Sequence, residues 1–168
     1  MNDLMKDLIQ WDSKYVNELE DIYDKHVHKP DFSRTLIMLV KEEGAVQIGA
    51  TWLIKKYLEL GNSLKRSEVL VLFDTMDFIK EWQSQLHFLQ MLPYIKLNVI
   101  NDQDLYMFLN SLIENPNKFV RAWAYNGLFL LSQTYTGYQD EVYAVLDDAL
   151  INEAPSVKAR IRNILKEL

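Results

Sequence analysis

Apolar residues recur along almost the whole chain with the spacing of an α-helix, and no stretch alternates like a strand for more than a few positions. Residues that favour helix ends interrupt this pattern at intervals, among them Pro30, Gly44, Gly61, Pro93 and Pro116. Gly and Pro are otherwise scarce, at 5 and 4 residues, which disfavours folds that need many tight turns. The sequence therefore predicts an all-α fold of about ten helices.

Four segments along the chain share one pattern. Aligning Val46, Trp82, Val120 and Val157 gives steps of 36, 38 and 37 residues, and an apolar residue follows four positions later in each (Ala50, Leu86, Ala124 and Ile161). Each segment comes after a shorter apolar helix. The sequence therefore predicts a repeating unit of helix A, a short turn and helix B, with a period of about 37 residues.

Two of these segments, Asn115–Ala124 and Pro155–Arg160, open with a turn, then a valine and a basic residue. This signature resembles that of the HEAT/armadillo superfamily. The likeness covers residues 30–168 and is weaker in the middle unit, where Trp82-Gln83 replaces the Val-Arg pair. It implies an α-α superhelix of about four to five HEAT-like hairpins in a single domain, 1–168. Residues 1–29 would be capping helices and residues 30–168 four hairpins. A helical bundle without true repeats, spaced this way by chance, is the alternative.

Two glycines interrupt predicted B helices. Gly49 and Gly127 each cost a helix about 1 kcal/mol relative to alanine. Such a cost is tolerated where a neighbouring helix must come very close. The sequence therefore predicts close helix–helix contacts at both positions.

The chain carries no recognisable catalytic or phosphate-binding motif. The adjacent pairs Glu42-Glu43 and Asp147-Asp148 point to different sides of a helix, so neither pair suits acid–base chemistry. We therefore expect no enzymatic activity, no catalytic residues, no cofactor and no small-molecule substrate.

Metal-binding side chains are also few. The chain has no cysteine, so thiolate sites and disulfides are excluded. His26 and His28, near Asp24 and Asp31, supply only part of the ligand set that a metal site needs, and two residues apart on a helix they diverge. We expect no metal site.

The net charge of −6 argues against nucleic acid as the partner, because nucleic-acid-binding proteins usually carry a basic excess. The first residues contain acids and no apolar leader, and the apolar runs are too short to span a bilayer. The expected location is the cytoplasm, without membrane contact.

The resemblance implies that the B helices line the concave surface of the stack. Placing residues at 100° intervals puts a polar stripe on each B helix. The stripe residues are Gln47, Thr51, Lys55, Gln83, His87, Lys118, Arg121, Tyr125, Lys158 and Arg162. Because this set contains cations and no acid, it predicts a groove that binds an anionic partner, such as an acidic protein segment. The alternative is that each cation pairs with an acid in a neighbouring turn and serves only the scaffold.

The predicted function is a non-enzymatic protein–protein interaction module, since helical repeats present extended binding surfaces. Arg121 and Tyr125 are the predicted hot spots. One alternative is a HEAT-like nucleic-acid-binding or DNA-repair-related protein. Another is an assembly or regulatory subunit, or an immunity-type inhibitor that binds a basic protein through the acidic region 1–31.

Overall fold

The computed structural model describes residues 2–166, and within this range the chain forms ten α-helices and no strand. The helices are α1 Asp3–Gln10, α2 Val16–His26, α3 Phe32–Leu39, α4 Gly44–Glu59, α5 Arg66–Phe73, α6 Trp82–Met91, α7 Asp102–Leu112, α8 Lys118–Thr134, α9 Gln139–Asn152 and α10 Pro155–Leu165. Short 3-10 turns occupy Met76–Phe78, Leu92–Tyr94, Leu97–Val99 and Thr136–Tyr138. The predicted all-α class is confirmed.

Local capping interactions explain where several helices begin and end. The Asn101 and Asn117 side chains accept hydrogen bonds from the first-turn N–H groups of α7 and α8. Pro155 occupies the first position of α10, where its missing N–H costs nothing. Gly61 follows α4 with φ of 86°, a conformation that favours glycine after a helix. These residues were readable from the sequence because their effects are local.

Packing divides the chain into two compact units, with the boundary between Tyr94 and Ile95. In the first unit α3 packs on α4, α4 on α6 and α3 on α5, while α1 and α2 pack on α4. The core includes Leu36, Leu53 and Phe88, all without exposed surface. The rings of Phe73 and Phe88 meet edge to face, with centroids 5.3 Å apart.

The second unit is built around α8, which packs against α7, α9 and α10. Val120, Leu131 and Ile161 are fully buried in its core. The hydroxyl of Tyr135 lies 2.9 Å from the carbonyl oxygen of Leu97 and 3.1 Å from that of Ile100. This contact holds the Leu97–Val99 turn against the end of α8.

Gly49 lies where α1 and α2 approach α4. A Cβ atom at this position would sit 2.5 Å from Leu8 Cδ2, 3.4 Å from Leu19 Cδ2 and 3.5 Å from Trp11 Cε3. The predicted close contact at Gly49 is confirmed. Gly127 is buried within α8.

The alignment of the middle repeat needs a correction of two residues. Trp82, aligned with Val46, is 44% exposed, whereas Val46 is 7% exposed. The buried residues of α6 include Ser84 and Phe88, which have the four-residue spacing of Val46 and Ala50. Packing on α4 fixes this register, and the small polar Ser84 concealed it in the sequence.

No helix in the described part of the chain is long and apolar enough to cross a bilayer.

Candidate functional site

Gln47, predicted to line a groove, is fully buried and joins two connecting segments of the first unit. Its side-chain nitrogen lies 2.9 Å from the carbonyl oxygens of Val40 and Glu42 and 2.7 Å from that of Phe78. Its side-chain oxygen accepts hydrogen bonds from the N–H groups of Lys80 and Glu81. The residue therefore satisfies backbone groups that α4 cannot reach, and it cannot contact a partner.

Three further predicted groove residues face one another where α4 packs on α6. Thr51 is fully buried, and its hydroxyl oxygen lies 3.1 Å from Nδ1 of His87. Lys55 forms an ion pair with Glu59 at 3.0 Å. Burial, with the nearby charge of Lys55, lowers the pKa of His87 to about 3, so the ring is neutral near pH 7. We call Thr51, Lys55 and His87 the α4–α6 seam.

Gln83 begins α6 and is partly buried. Its side-chain oxygen is inaccessible to solvent and accepts no hydrogen bond from residues 2–166. The stripes predicted on α4 and α6 are thus largely a contact between two helices. Polar residues were assigned to the surface, but Gln47 and Thr51 are buried with internal partners.

In the second unit, Arg121 and Tyr125 converge on one acid, Glu153. The Arg121 guanidinium donates to both carboxylate oxygens, at 2.9 and 3.1 Å, and to the carbonyl oxygen of Asn115 at 3.0 Å. The Tyr125 hydroxyl donates to the same carboxylate at 3.2 Å. The predicted stripe contained no acid, so this arrangement corrects it. Arg121 matches the alternative stated above, in which the cation pairs within the scaffold.

The pKa values of this cluster follow from its burial and charge. Burial, followed by the charge and hydrogen bond of Glu153, raises the pKa of Tyr125 to about 12. Burial works to raise the pKa of Glu153, but hydrogen bonds from Arg121 and the Ala154 N–H outweigh it and hold this pKa below its ordinary value. The cluster is therefore an internal ion pair that joins α8 to the turn between α9 and α10.

The remaining predicted cations are on the surface of the second unit. Lys158 donates to the carbonyl oxygen of Ile151 at 2.7 Å and so caps α9. Arg162 is exposed and forms no ion pair with the described residues. Lys118 is exposed at the start of α8, with its Nζ 5.5 Å from the centroid of the Phe119 ring.

A surface that the stripe did not include lies beside Lys118. Phe119 is 54% exposed, and Trp123 follows it by one helical turn on the same face of α8. The guanidinium carbon of Arg160, on α10, lies 3.7 Å from the centroid of the Trp123 ring. We call Lys118, Phe119, Trp123 and Arg160 the basic–aromatic patch. The sequence signal for it was an aromatic pair at i and i+4, a spacing that equally suits the buried stripe of a helix.

The histidines near the end of α2 have separate roles. His26 is fully buried, with Nε2 at 2.6 Å from Oδ2 of Asp7, while His28 is exposed. Lys25 pairs with the same oxygen at 2.7 Å. Burial works to raise the pKa of Asp7, but hydrogen bonds from His26 and Lys25 hold it below its ordinary value. Between residues 2 and 166, no three His, Cys, Asp or Glu side chains are grouped to hold a metal ion.

Sequence reasoning also missed a cleft of about 460 Å³ between α3 and α5. We call it the α3–α5 cleft, and its lining residues are Arg34, Ile37, Met38, Lys65, Ser67, Glu68 and Val71. One signal for it was available. Five consecutive apolar residues, Val69 to Phe73, exceed what one buried stripe of a short helix can cover.

Comparisons with protein-family models, with curated proteins and with solved structures found no match.

Proposed function

We propose that this chain is a non-enzymatic protein-interaction module built from HEAT-like hairpins, and that its basic–aromatic patch binds an acidic segment of a partner protein. The observation that carries this proposal is the exposed Phe119, flanked by Lys118 and by the Arg160–Trp123 stack. Aromatic and arginine side chains provide most of the binding energy in many protein interfaces.

The order of helix contacts supports the HEAT-like part of the proposal. Helix pairs α3–α4, α7–α8 and α9–α10 pack as sequential neighbours. Helices one repeat apart also pack together, as α3 does on α5, α4 on α6 and α8 on α10. This is the pattern expected when hairpins stack within each unit.

The distribution of charge in the second unit supports an acidic ligand. Helix α10 contains three cations, Lys158, Arg160 and Arg162, and no acid. Helix α9 contains four acids and no cation. This separation leaves a basic surface on α10 next to the aromatic residues of α8, although the whole chain has a net charge of −6. Complementary charge of this kind directs an acidic segment to the patch.

The titratable side chains with the largest pKa shifts support a role outside catalysis. His87 contacts Thr51 within the α4–α6 seam, and Tyr125 binds Glu153. Both are held by internal partners, as is Tyr106, whose hydroxyl donates to Glu141 and whose pKa is raised to about 12. A general acid or base needs contact with a reacting group.

Selection from a random peptide display library, with the full chain as bait, tests the proposal. We expect enriched peptides to combine Asp or Glu with apolar residues. Their affinity should fall about tenfold or more for the double variant Lys118→Glu/Phe119→Ala. The matched control is Lys96→Glu/Met107→Ala, which changes an exposed cation and an exposed apolar residue of the same unit. Enrichment without acids, or equal binding to both variants, would contradict the proposal.

Single-stranded nucleic acid is a second candidate ligand, because aromatic side chains next to cations also stack on bases. The net charge of −6 disfavours it. Fluorescence anisotropy with an oligothymidylate separates the two ligands. Binding that weakens with salt and is lost in Lys118→Glu/Phe119→Ala would replace the acidic peptide with nucleic acid as the ligand.

A further inference from the structure

We infer that the α3–α5 cleft is a second docking site, and that it takes an amphipathic helical segment of a partner protein with carboxylates at one end of its apolar face. This site lies in the first unit and is independent of the basic–aromatic patch. The cleft is a concave apolar surface whose two ends differ in charge.

The apolar part of the cleft consists of Ile37, Met38 and Val71. Ile37 is buried and forms its floor, while Met38 is 63% exposed and Val71 44% exposed on its rims. At about 460 Å³, the cleft has room for several aliphatic side chains. Apolar side chains of a partner that insert into the cleft would shield Met38 and Val71 on its rims from water.

Two cations, Arg34 and Lys65, lie at one end of the cleft, near the first turns of α3 and α5. Neither side chain forms an ion pair with the described residues. The one lining acid, Glu68, already accepts hydrogen bonds from the Ser33 hydroxyl and the Lys65 N–H, both at 2.7 Å. The lining charge is therefore +1, from two cations and one carboxylate. The positive ends of two helix dipoles add to it.

The opposite end of the cleft has the opposite character. Asp74 lies one turn after Val71, at the C-cap of α5, and Asp77 follows in the next 3-10 turn. Both acids are exposed, and with Lys41, whose Nζ lies over the ring of Phe78, the three side chains at this end carry a net charge of −1. A bound segment should therefore place its carboxylates next to Arg34 and Lys65 and keep them away from Asp74 and Asp77.

The shape of the surface favours a helix over a compact small molecule. Arg34 and Met38 lie one helical turn apart on an exposed edge of α3, and Lys41 lies two residues beyond the end of this helix. Lys41 then covers the ring of Phe78, which is 47% exposed, with Nζ 5.2 Å from its centroid. An elongated open strip suits an apolar helix face, whereas a small ligand would need a more enclosed pocket. A second copy of this concave surface would leave the cleft unfilled.

Peptide display against the full chain carrying Lys118→Glu/Phe119→Ala isolates this site from the basic–aromatic patch. Enriched peptides are labelled with fluorescein, and their affinities are measured by anisotropy. Two cleft variants are compared, Met38→Glu and Arg34→Glu/Lys65→Glu. The controls are Leu60→Glu, since Leu60 is 57% exposed elsewhere in the unit, and Lys80→Glu at another exposed cation. Because every changed side chain is exposed, unchanged circular dichroism and urea midpoints are expected for all of them.

We expect helical peptides with carboxylates at one end of an apolar face. Both cleft variants should weaken binding about tenfold or more, and the controls should not. Moving the carboxylates to the other end of the same peptide should also weaken binding. The inference is overturned by peptides that bind Met38→Glu normally, by selection of basic peptides, or by no enrichment. Self-association that light scattering detects and Met38→Glu abolishes would assign the cleft to a second copy instead. Peptides enriched on the wild-type chain, together with none enriched on the Lys118→Glu/Phe119→Ala chain, would overturn this inference and leave the proposed function standing.

Discussion

At the residue scale, we expect replacement of Gln47 to cost more stability than replacement of other side chains of similar size. One buried amide, with two N–H donors and one oxygen acceptor, contacts three carbonyl oxygens and two N–H groups from the segments after α3 and after α5. We expect Gln47→Leu to lower the free energy of unfolding by about 3 kcal/mol, because it leaves buried backbone groups without partners. Urea denaturation followed by circular dichroism measures this change.

Gln10→Leu is the matched control, since Gln10 is exposed at the end of α1. Its unfolding free energy should stay within about 0.5 kcal/mol of the wild-type value. Similar values for both variants would mean that the Gln47 hydrogen bonds contribute little net stability.

His87 should make the stability of the chain depend on pH. Its pKa is about 3 in the folded chain, below the ordinary value of about 6.5 expected after unfolding. Between these values the unfolded state binds more protons, so stability is present above pH 6.5 and declines as the pH falls towards 3. From pH 7 to pH 5, this residue alone should cost about 2 kcal/mol.

Urea denaturation of the wild type and of His87→Gln at both pH values measures that loss. The loss between pH 7 and pH 5 should be smaller in the variant by the amount due to His87. His28→Gln, at an exposed histidine two residues after the end of α2, should retain the wild-type loss. An identical pH dependence in all three proteins would show that His87 titrates normally in the folded chain.

At the element scale, the contact of α1 and α2 with α4 depends on the missing side chain of Gly49. Leu8 Cδ2 would lie 2.5 Å from an added Cβ. We expect Gly49→Val to destabilise the chain by about 2 kcal/mol through overpacking, despite the better helix propensity of valine. Because Trp11 lies beside this position, its fluorescence should shift as α1 moves.

Gly137→Val is the control, because a Cβ there meets no atom within 4 Å. It should leave both stability and fluorescence close to wild type. Should Gly49→Val behave in the same way, α1 would be held to α4 by contacts that tolerate a shift.

The ends of the helices could be predicted from the sequence, whereas the side chains that each helix exposes could not. Helix ends were readable because Asn117, Pro155 and Gly61 act on their own turns. The surface of each helix was less readable, because polarity alone does not distinguish an exposed side chain from a buried one with internal partners. Gln47 and Arg121 both have such partners, and those partners lie about thirty residues away in the sequence.

At the scale of the whole molecule, the chain should separate into two parts that each fold. Packing concentrates on either side of the boundary between Tyr94 and Ile95. Each side has its own buried core, around Phe88 in one and Leu131 in the other. We expect the fragments 2–94 and 95–166 to retain helical circular dichroism and cooperative urea transitions when produced separately.

A cut after Gly61 is the comparison, because it separates α4 from α6 although Gly61 itself is an exposed turn. Its fragment 2–61 should lose cooperative unfolding. The two-unit description would be contradicted if both cuts gave fragments that unfold alike. It would also be contradicted if the isolated fragment 2–94 or the isolated fragment 95–166 were unfolded.

The main packing pairs join helices that are at most three places apart in the order of the chain, as with α1 and α4. Closing such short loops costs little chain entropy, so no contact has to wait for distant segments to meet. Chains with this kind of local topology reach the native state on microsecond to millisecond timescales. Folding of α1 to α6 can therefore begin during synthesis on the ribosome. The helices with which they make their main contacts have all been synthesised before α7 emerges.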